Sequence, residues 1–472
     1  MKKVLLYIIG CSLSVLPLGA QGRVGDNATL TLDSCINLAL QNNKTLQSAK
    51  KQAERYGYEE KVYKANFFPN FKLSANDAWS DAEGTFGSDI FSGITDGVTQ
   101  FLTVLTKAGH FTPYEAVVQQ FAQGMSGMSK GIDYKVGNIF QAGITLEQPL
   151  YMGGKVLTAY QMSKLGKQMA DQGAVLSQNE VIVEVQEAYA LVVRANEMYK
   201  VAVRYDSLLQ SLLTDVQNAE RHGLRSRNDV LKVQVKLSEA ELQVRQAENG
   251  QRLAGMNLCH YVGLPLTTQI DVDMEAFSQS PKVLIDRQAD VTNRPEYDIL
   301  AMKSELAAKK VKLERSEYLP QVVLGASYSY VNGIELAGKK LFDKPTAGVL
   351  LHVSIPLYHA NAGVNKIRSA RLEAERAQLE QDDLIEKMNL ELAQASNNLD
   401  EAYLEVQLAE KSLSQTDENL RSSRSSYDRG TESLSELLEA QTLWQQAYAK
   451  LANAKANLFV AATKYQKAAG RL

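Results

Sequence analysis

Proline is scarce in this chain and unevenly placed. Ten prolines serve 472 residues, none between Pro149 and Pro265 and none after Pro356. Proline in a helix interior removes a hydrogen bond and clashes with the preceding turn. Two proline-free stretches of more than 100 residues are therefore expected to be long helices. Three cysteines are too few for a disulfide scaffold, and Cys35 and Cys259 read as plain buried thiols. Five scattered histidines offer little to a metal enzyme. Charge is nearly balanced at −3, which excludes nucleic-acid binding by phosphate neutralisation. Beyond the N-terminal segment no run is long and apolar enough for a transmembrane helix, so membrane entry would require strands. Length alone predicts about three domains.

The N-terminal segment reads as an address. Met1-Lys2-Lys3 is basic, Val4 to Leu18 is mostly apolar, and Gly19-Ala20-Gln21-Gly22 supplies small residues for cleavage. Residues 1–22 are expected to be a secretory signal peptide. Ile8-Ile9-Gly10-Cys11 offers a second processing route, a lipoprotein box with acylation of Cys11.

The remainder reads as two copies of one unit. Gln148-Pro149-Leu150-Tyr151 matches Ile355-Pro356-Leu357-Tyr358 at an offset of 207, and the same offset relates Gly223 to Gly430 and Val230-Leu231 to Leu437-Leu438. Upstream, Phe68-Pro69 matches Leu319-Pro320 at an offset of 251. The difference, 251 − 207 = 44, is an insertion in the first copy. It falls within the Gly-, Ser- and Thr-rich segment 77–137, expected as an exposed loop with short helices over 101–108 and 114–122. The first repeat is set at 23–290, with strands at about 67–76 and 138–150 and a helical hairpin at about 155–260. The second is set at 291–472, with strands at about 320–331 and 346–358 and a hairpin at about 363–469.

Period-2 alternation marks the strands. Phe71, Leu73 and Ala75 oppose Lys72, Ser74 and Asn76, while Ile144 and Leu146 oppose Gly143, Thr145 and Glu147. Val322, Leu324, Ala326 and Tyr328 oppose Gly325, Ser327 and Ser329; Val349, Leu351 and Val353 oppose Gly348, His352 and Ser354, with Leu350 out of pattern. About ten residues suffice to cross a bilayer at a tilt, and Phe67, Phe68, Tyr151 and Tyr358 stand where an aromatic girdle would lie. Alternation alone also fits a half-buried sheet in a soluble domain.

The long segments carry a coiled-coil period of 3.5. Met388, Leu392, Ala395, Leu399, Ala402, Val406 and Ala409 recur at spacings of four and three, and so do Leu437, Ala440, Trp444, Ala447, Leu451, Ala454 and Leu458. The first copy repeats this with Val181, Val185, Ala188 and Val192 on the outgoing arm and Val230, Val233, Leu237 and Ala240 on the return. Gly223 and Gly430 are helix-stop glycines at the two hairpin turns. Four strands cannot close a barrel, and open edges are not tolerated in lipid. Three copies would supply twelve strands around a wet lumen and twelve helical arms to continue it.

This order of elements resembles the TolC family of outer-membrane efflux proteins. Thr29-Leu30-Thr31-Leu32 with Asn37-Leu38-Ala39-Leu40-Gln41-Asn42-Asn43 resembles the family's N-terminal helix, and Asn293-Arg294-Pro295-Glu296-Tyr297 resembles the start of its second copy. Tyr427-Asp428-Arg429-Gly430 with Leu434-Ser435-Glu436-Leu437 resembles the second hairpin turn, and Arg221-His222-Gly223-Leu224 with Asn228-Asp229-Val230-Leu231 the first. The resemblance implies a mixed α/β membrane protein: a homotrimer whose 12-stranded β-barrel sits in outer-membrane lipid and continues into a periplasmic α-helical barrel. It implies a passive exit duct for a tripartite efflux pump or type I secretion system. Its partners would be a periplasmic adaptor protein and an inner-membrane transporter, with no cofactor and no nucleic acid.

The same resemblance implies the site residues. The adaptor would meet the tips at Arg221, Gly223, Leu224, Arg225, Asp428, Gly430 and Thr431. Glu436 and Glu439 match acidic residues that line the closed constriction, and their i, i+3 spacing puts both on one helix face. Rings of such carboxylates favour cations. Tyr427 and Asp229 match positions that hold the closed state. Glu432 stands where the family often has a basic residue, which implies a rewired lock.

Catalytic motifs fail on inspection. Gly153-Gly154-Lys155 lacks the earlier glycine of a phosphate loop, since position 149 is proline. Ser48-Ala49-Lys50-Lys51 has no supporting motif, and His352 and His359 have no zinc-ligand spacing. Two competing classes are a periplasmic coiled-coil scaffold or adaptor, and an outer-membrane protein displaying an adhesive loop at 77–137.

Overall fold

The computed structural model describes residues 29–86, 132–273, 283–286, 289–336, 338–341, 343–358 and 360–472. The expected signal peptide, Cys11 and the two short helices at 101–108 and 114–122 lie outside these residues. The elements run α1 (Leu32–Asn42), α2 (Lys44–Ala65), β1 (Asn70–Ala78), β2 (Ala82–Phe86), β3 (Ile132–Met152), α3 (Lys155–Arg221) and α4 (Arg227–Val262). A 3-10 turn (Val291–Asn293) then leads into α5 (Pro295–Ser316), β4 (Gln321–Leu336), β5 (Lys339–Leu341), β6 (Thr346–Ser354), α6 (Ala362–Asp428) and α7 (Leu434–Ala468). The second half thus repeats the first: helix, strand pair, long helical hairpin.

The strand pairs extend beyond the sequence expectation. β3 is 21 residues long, and β2 pairs with its first part, Ala82 opposite Val136 through Gly84 opposite Tyr134. Both ends of the segment expected as a loop over 77–137 are therefore strand. The extension was hidden because β3 carries register shifts between Val136 and Phe140 and between Pro149 and Tyr151. A bulge accommodates a proline or glycine that would otherwise read as a strand end.

By contacts the chain falls into two compact units, and neither coincides with a sequence repeat. One comprises Val181–Ile285 and Asn397–Lys464 with the chain start to Asn43; the other comprises Lys44–Glu180, Asp286–Ser396 and Tyr465–Leu472. Each takes segments from both repeats.

The sheet belongs to the second of these units, and its register fixes two faces. Phe71 opposes Leu146 and Leu73 opposes Ile144; Leu146 opposes Ala326 and Ile144 opposes Tyr328; Ala326 opposes Val349 and Leu324 opposes Leu351. One continuous apolar face results. Phe71, Leu73, Val349, Leu351 and Val353 on that face are 52% to 80% exposed. Lys72, Thr145, Ser327 and Gly348 fall in register on the opposite face. Leu350 joins this polar face, opposite Gly325. β1 pairs only with β3, and β6 only with β4. Among the described residues the sheet thus ends in two open edges. No described helix is long and apolar enough to cross a membrane.

Within the same unit, Gly153 begins the connection from β3 to α3. Its φ is +61°, and a Cβ there would lie 2.5 Å from the Ser316 carbonyl oxygen. Only glycine satisfies both conditions. Arg294 precedes α5, buried, and holds Glu296 at 2.9 Å and Glu391 at 2.8 Å.

The other unit is a bundle of helical arms. It takes α3 from Val181 and α6 from Asn397 onward, parts of helices of 67 residues each, about 100 Å at 1.5 Å per residue. The expected coiled-coil positions are its core: Val181, Val185, Ala188 and Val192 of α3, Leu399, Ala402, Val406 and Ala409 of α6, and Leu437, Ala440, Trp444 and Leu458 of α7 are buried. Alanine at about every second position lets the arms approach closely, so burial is spread along the arms rather than gathered in one globular centre.

Candidate functional site

The two hairpin turns are built by the same device. The α3 helix ends at Arg221 and α4 begins at Arg227. Gly223 adopts φ +72° and Gly430 φ +77°, the left-handed conformation that ends a helix. The Gly223 N–H donates to Glu220 O at 2.8 Å and the Leu224 N–H to Ala219 O at 2.8 Å. At the second turn the Gly430 N–H donates to Tyr427 O and the Thr431 N–H to Ser426 O, both at 2.9 Å.

Each return helix then starts with a capping box. Ser226 and Asp229 cap α4: the Asp229 N–H donates to Ser226 Oγ at 3.2 Å, and Asp229 Oδ2 accepts from the Ser226 N–H at 3.3 Å. Ser433 and Glu436 cap α7: the Glu436 N–H donates to Ser433 Oγ at 3.3 Å, and Glu436 Oε2 accepts from the Ser433 N–H at 2.8 Å. These reciprocal bonds satisfy orphan donors at the helix start. The Ser433 backbone N–H and hydroxyl hold the Glu436 carboxyl below the usual carboxylate range.

The turns pack on each other through an apolar cluster. Leu209, Leu212, Val216, Val230 and Val233 of the first hairpin meet Tyr427, Leu434, Leu437 and Leu438 of the second. The Arg225 guanidinium lies 4.5 Å over the Tyr427 ring. Burial pushes the Tyr427 hydroxyl above its ordinary pKa, against the opposing pull of Arg225. Arg424 binds Asp215 at 2.7 Å, which ties the two hairpins by charge, and Asp428 of its own helix at 3.6 Å. The Ser423 hydroxyl donates to Glu432, and Lys232 lies 3.9 Å from Asp229.

The predicted residues therefore divide into groups. Tyr427 is buried inside the protomer and stacked by Arg225, and Asp229 and Glu436 are each engaged by a capping serine. Glu432 is half-buried against Ser423, and Glu439 is exposed on the same helix as Glu436. Arg221, Gly223, Leu224, Asp428, Gly430 and Thr431 are exposed around the turns. Sequence reasoning missed Ser226 and Ser433, although the spacings Ser226-x-x-Asp229 and Ser433-x-x-Glu436 carry the capping signal. It also missed Arg424 with Asp215, which no local pattern announces. Among the described residues no cluster of His, Cys, Asp and Glu could hold a metal.

Fold and site define a class: proteins that join a two-faced, open-edged strand sheet to two repeated helical hairpins with matched tips. Residues 291–471 match the family model described as outer membrane efflux protein. The second half of the chain thus carries a likeness to a family of outer-membrane efflux proteins. Alkaline protease secretion protein AprF of Pseudomonas aeruginosa is 22% identical over 335 residues, 70% of this chain and 69% of that protein. Protein CyaE of Bordetella pertussis is 27% identical over 338 residues, 70% of each. The crystal structure of the Campylobacter jejuni CmeC outer membrane channel matches with a TM-score of 0.70 at 18% identity, covering 100% of this chain and 93% of that one. That likeness establishes the fold.

Proposed function

We propose that three copies of this chain form an outer-membrane exit duct, the passive outer element of a tripartite efflux pump or type I secretion system. The observation that carries the reading is the two-faced sheet with open edges at β1 and β6. Exposed leucine, valine and phenylalanine on one face suit lipid, and small and polar residues on the other suit a wet lumen. Unpaired strand edges cannot stand in lipid, so β1 of one copy pairs with β6 of the next. Four long strands per copy then give a twelve-stranded barrel. A periplasmic scaffold would have no use for such a face.

The hairpin tips supply closure and docking in this reading. Glu436 and Glu439 line the constriction, with Asp229, Tyr427 and Glu432 beside it. The exposed residues at 221–224 and 428–431, with the partly exposed Arg225, contact a periplasmic adaptor, which connects the duct to an inner-membrane transporter. That transporter supplies the energy.

The edge pairing is tested by cysteine cross-linking. Ser74→Cys is combined in turn with Gly348→Cys, Leu350→Cys and His352→Cys, and membranes are oxidised. One combination should yield a ladder that stops at three chains, whereas no cross-link or an open-ended ladder rejects the closed trimer. The constriction is tested by Glu436→Ala with Glu439→Ala in planar bilayers. Weaker block by divalent cations supports the assignment, and unchanged block removes it.

A further inference from the structure

We propose that Cys35 and Cys259 are joined in the mature protein as an intrachain disulfide, a covalent staple between α1 and the end of α4. The proposal rests on the outer-membrane reading, which places both residues in an oxidising compartment.

Both cysteines are wholly buried, at 0% exposure, and both stand as free thiols in this structure. Cys35 lies on α1 and Cys259 in the last turn of α4, and these two helices pack together. The chain after α4 then follows the length of α1. At one end, Gly263 packs so closely on Asn42 that a Cβ there would lie 2.7 Å from the Asn42 Cβ, and the Asn43 side chain donates to Tyr261 O at 3.0 Å. At the other end, the Leu30 N–H donates to Asp271 O at 2.8 Å and the Asp273 N–H to Leu30 O at 3.2 Å. The Tyr189 hydroxyl closes this end by bonding both Leu30 O and Asp273 O.

Between those anchors the residue counts along α1 and along the strap are similar. Cys35 stands seven residues before Asn42 and five after Leu30; Thr268 stands five after Gly263 and four before Val272. The Cys259 thiol donates to Thr268 O at 3.5 Å, midway along the strap between its two anchors on α1. Burial, with Cys259 as the neighbouring charge, pushes the Cys35 thiol up to about 11.

The chemistry is a thiol–disulfide exchange with a disulfide donor of the periplasmic thiol-oxidant class. The thiolate of one cysteine attacks a donor sulfur, breaks the donor S–S bond and releases one donor thiol. The second cysteine, deprotonated, attacks that mixed disulfide, forms the Cys35–Cys259 bond and releases the other donor thiol. Two protons and two electrons leave the protein and reduce the donor to its dithiol. Only the thiolate attacks. At pH 7 a folded thiol of pKa about 11 is ionised to roughly one part in ten thousand, so exchange occurs on the chain in transit, before α1 docks. The bond then fixes the short first helix of the mature chain to an arm 224 residues away (259 − 35 = 224).

The test counts thiols on protein taken from outer-membrane fractions. The protein is unfolded in detergent with a polyethylene-glycol maleimide, with and without prior reduction. Cys11 does not react, being either removed or acylated. The expected result is no adduct without reductant and two after reduction, while Cys35→Ala and Cys259→Ala each show one adduct without reductant. Two adducts on unreduced outer-membrane protein overturn the disulfide and leave the duct reading standing. Protein found reduced in the cytoplasm overturns both.

Discussion

Leu350 and Leu351 are neighbours in β6, yet the register assigns them opposite environments. Leu351 opposes Leu324 on the apolar face, whereas Leu350 opposes Gly325 on the polar one. Both stand near the middle of the nine-residue strand, hence near mid-membrane in the proposed barrel. A lysine on the lipid face at mid-membrane costs about 2–4 kcal/mol. At about 1.4 kcal/mol per tenfold, Leu351→Lys lowers the folding equilibrium constant roughly 30- to 700-fold per chain, and a trimer carries the change three times. Leu350→Lys projects the same charge into water and its effect stays within about 0.5 kcal/mol. Both variants are refolded into lipid vesicles from urea, and the heat-resistant trimer is quantified on cold detergent gels. Trimer should be lost for Leu351→Lys and kept for Leu350→Lys. Equal loss from both, or loss from Leu350→Lys alone, refutes the assignment of faces.

Three further outcomes follow from the tip and the strand–helix junction. Leu437, fully buried in the tip cluster, loses about 2–5 kcal/mol on truncation to Ala; the closed state should leak, read as a raised resting conductance in bilayers. The Glu436 carboxyl is held low by Ser433, so its contribution is present above the ordinary carboxylate pKa and is lost as pH falls through the lowered folded value. The folded tip should therefore lose stability in acid, read as a falling melting temperature, and Glu436→Gln should flatten that pH dependence. At Gly153 any Cβ meets the Ser316 carbonyl at a positive φ, so Gly153→Ala should cut trimer yield, while Gly154→Ala, with open space around it, should cut it less.

Periodicity made most of the fold legible. The 3.5-residue spacing identified the buried stripe of each arm because long coiled arms expose their core positions at a fixed interval. The period of two identified the sheet faces because the register preserves alternation across all four long strands. The limits have physical causes as well. β3 runs through Pro149 and the bulge after Val136, which break the local pattern without breaking the strand. Two sequence repeats do not make two compact units, because arms from both hairpins bury their stripes together. At the tip, glycines and acids were visible as local motifs, but the Arg424–Asp215 pair and the Arg225–Tyr427 stack join hairpins some 200 residues apart in sequence. Such contacts depend on packing that no local spacing encodes.

The central claim is that the folded object is a tube closed by three chains. Native mass spectrometry of the protein extracted from outer membranes in mild detergent measures this directly. A single assembly of three copies that resists subunit exchange is the expected result. A monomer, or an assembly of any other number, would contradict it.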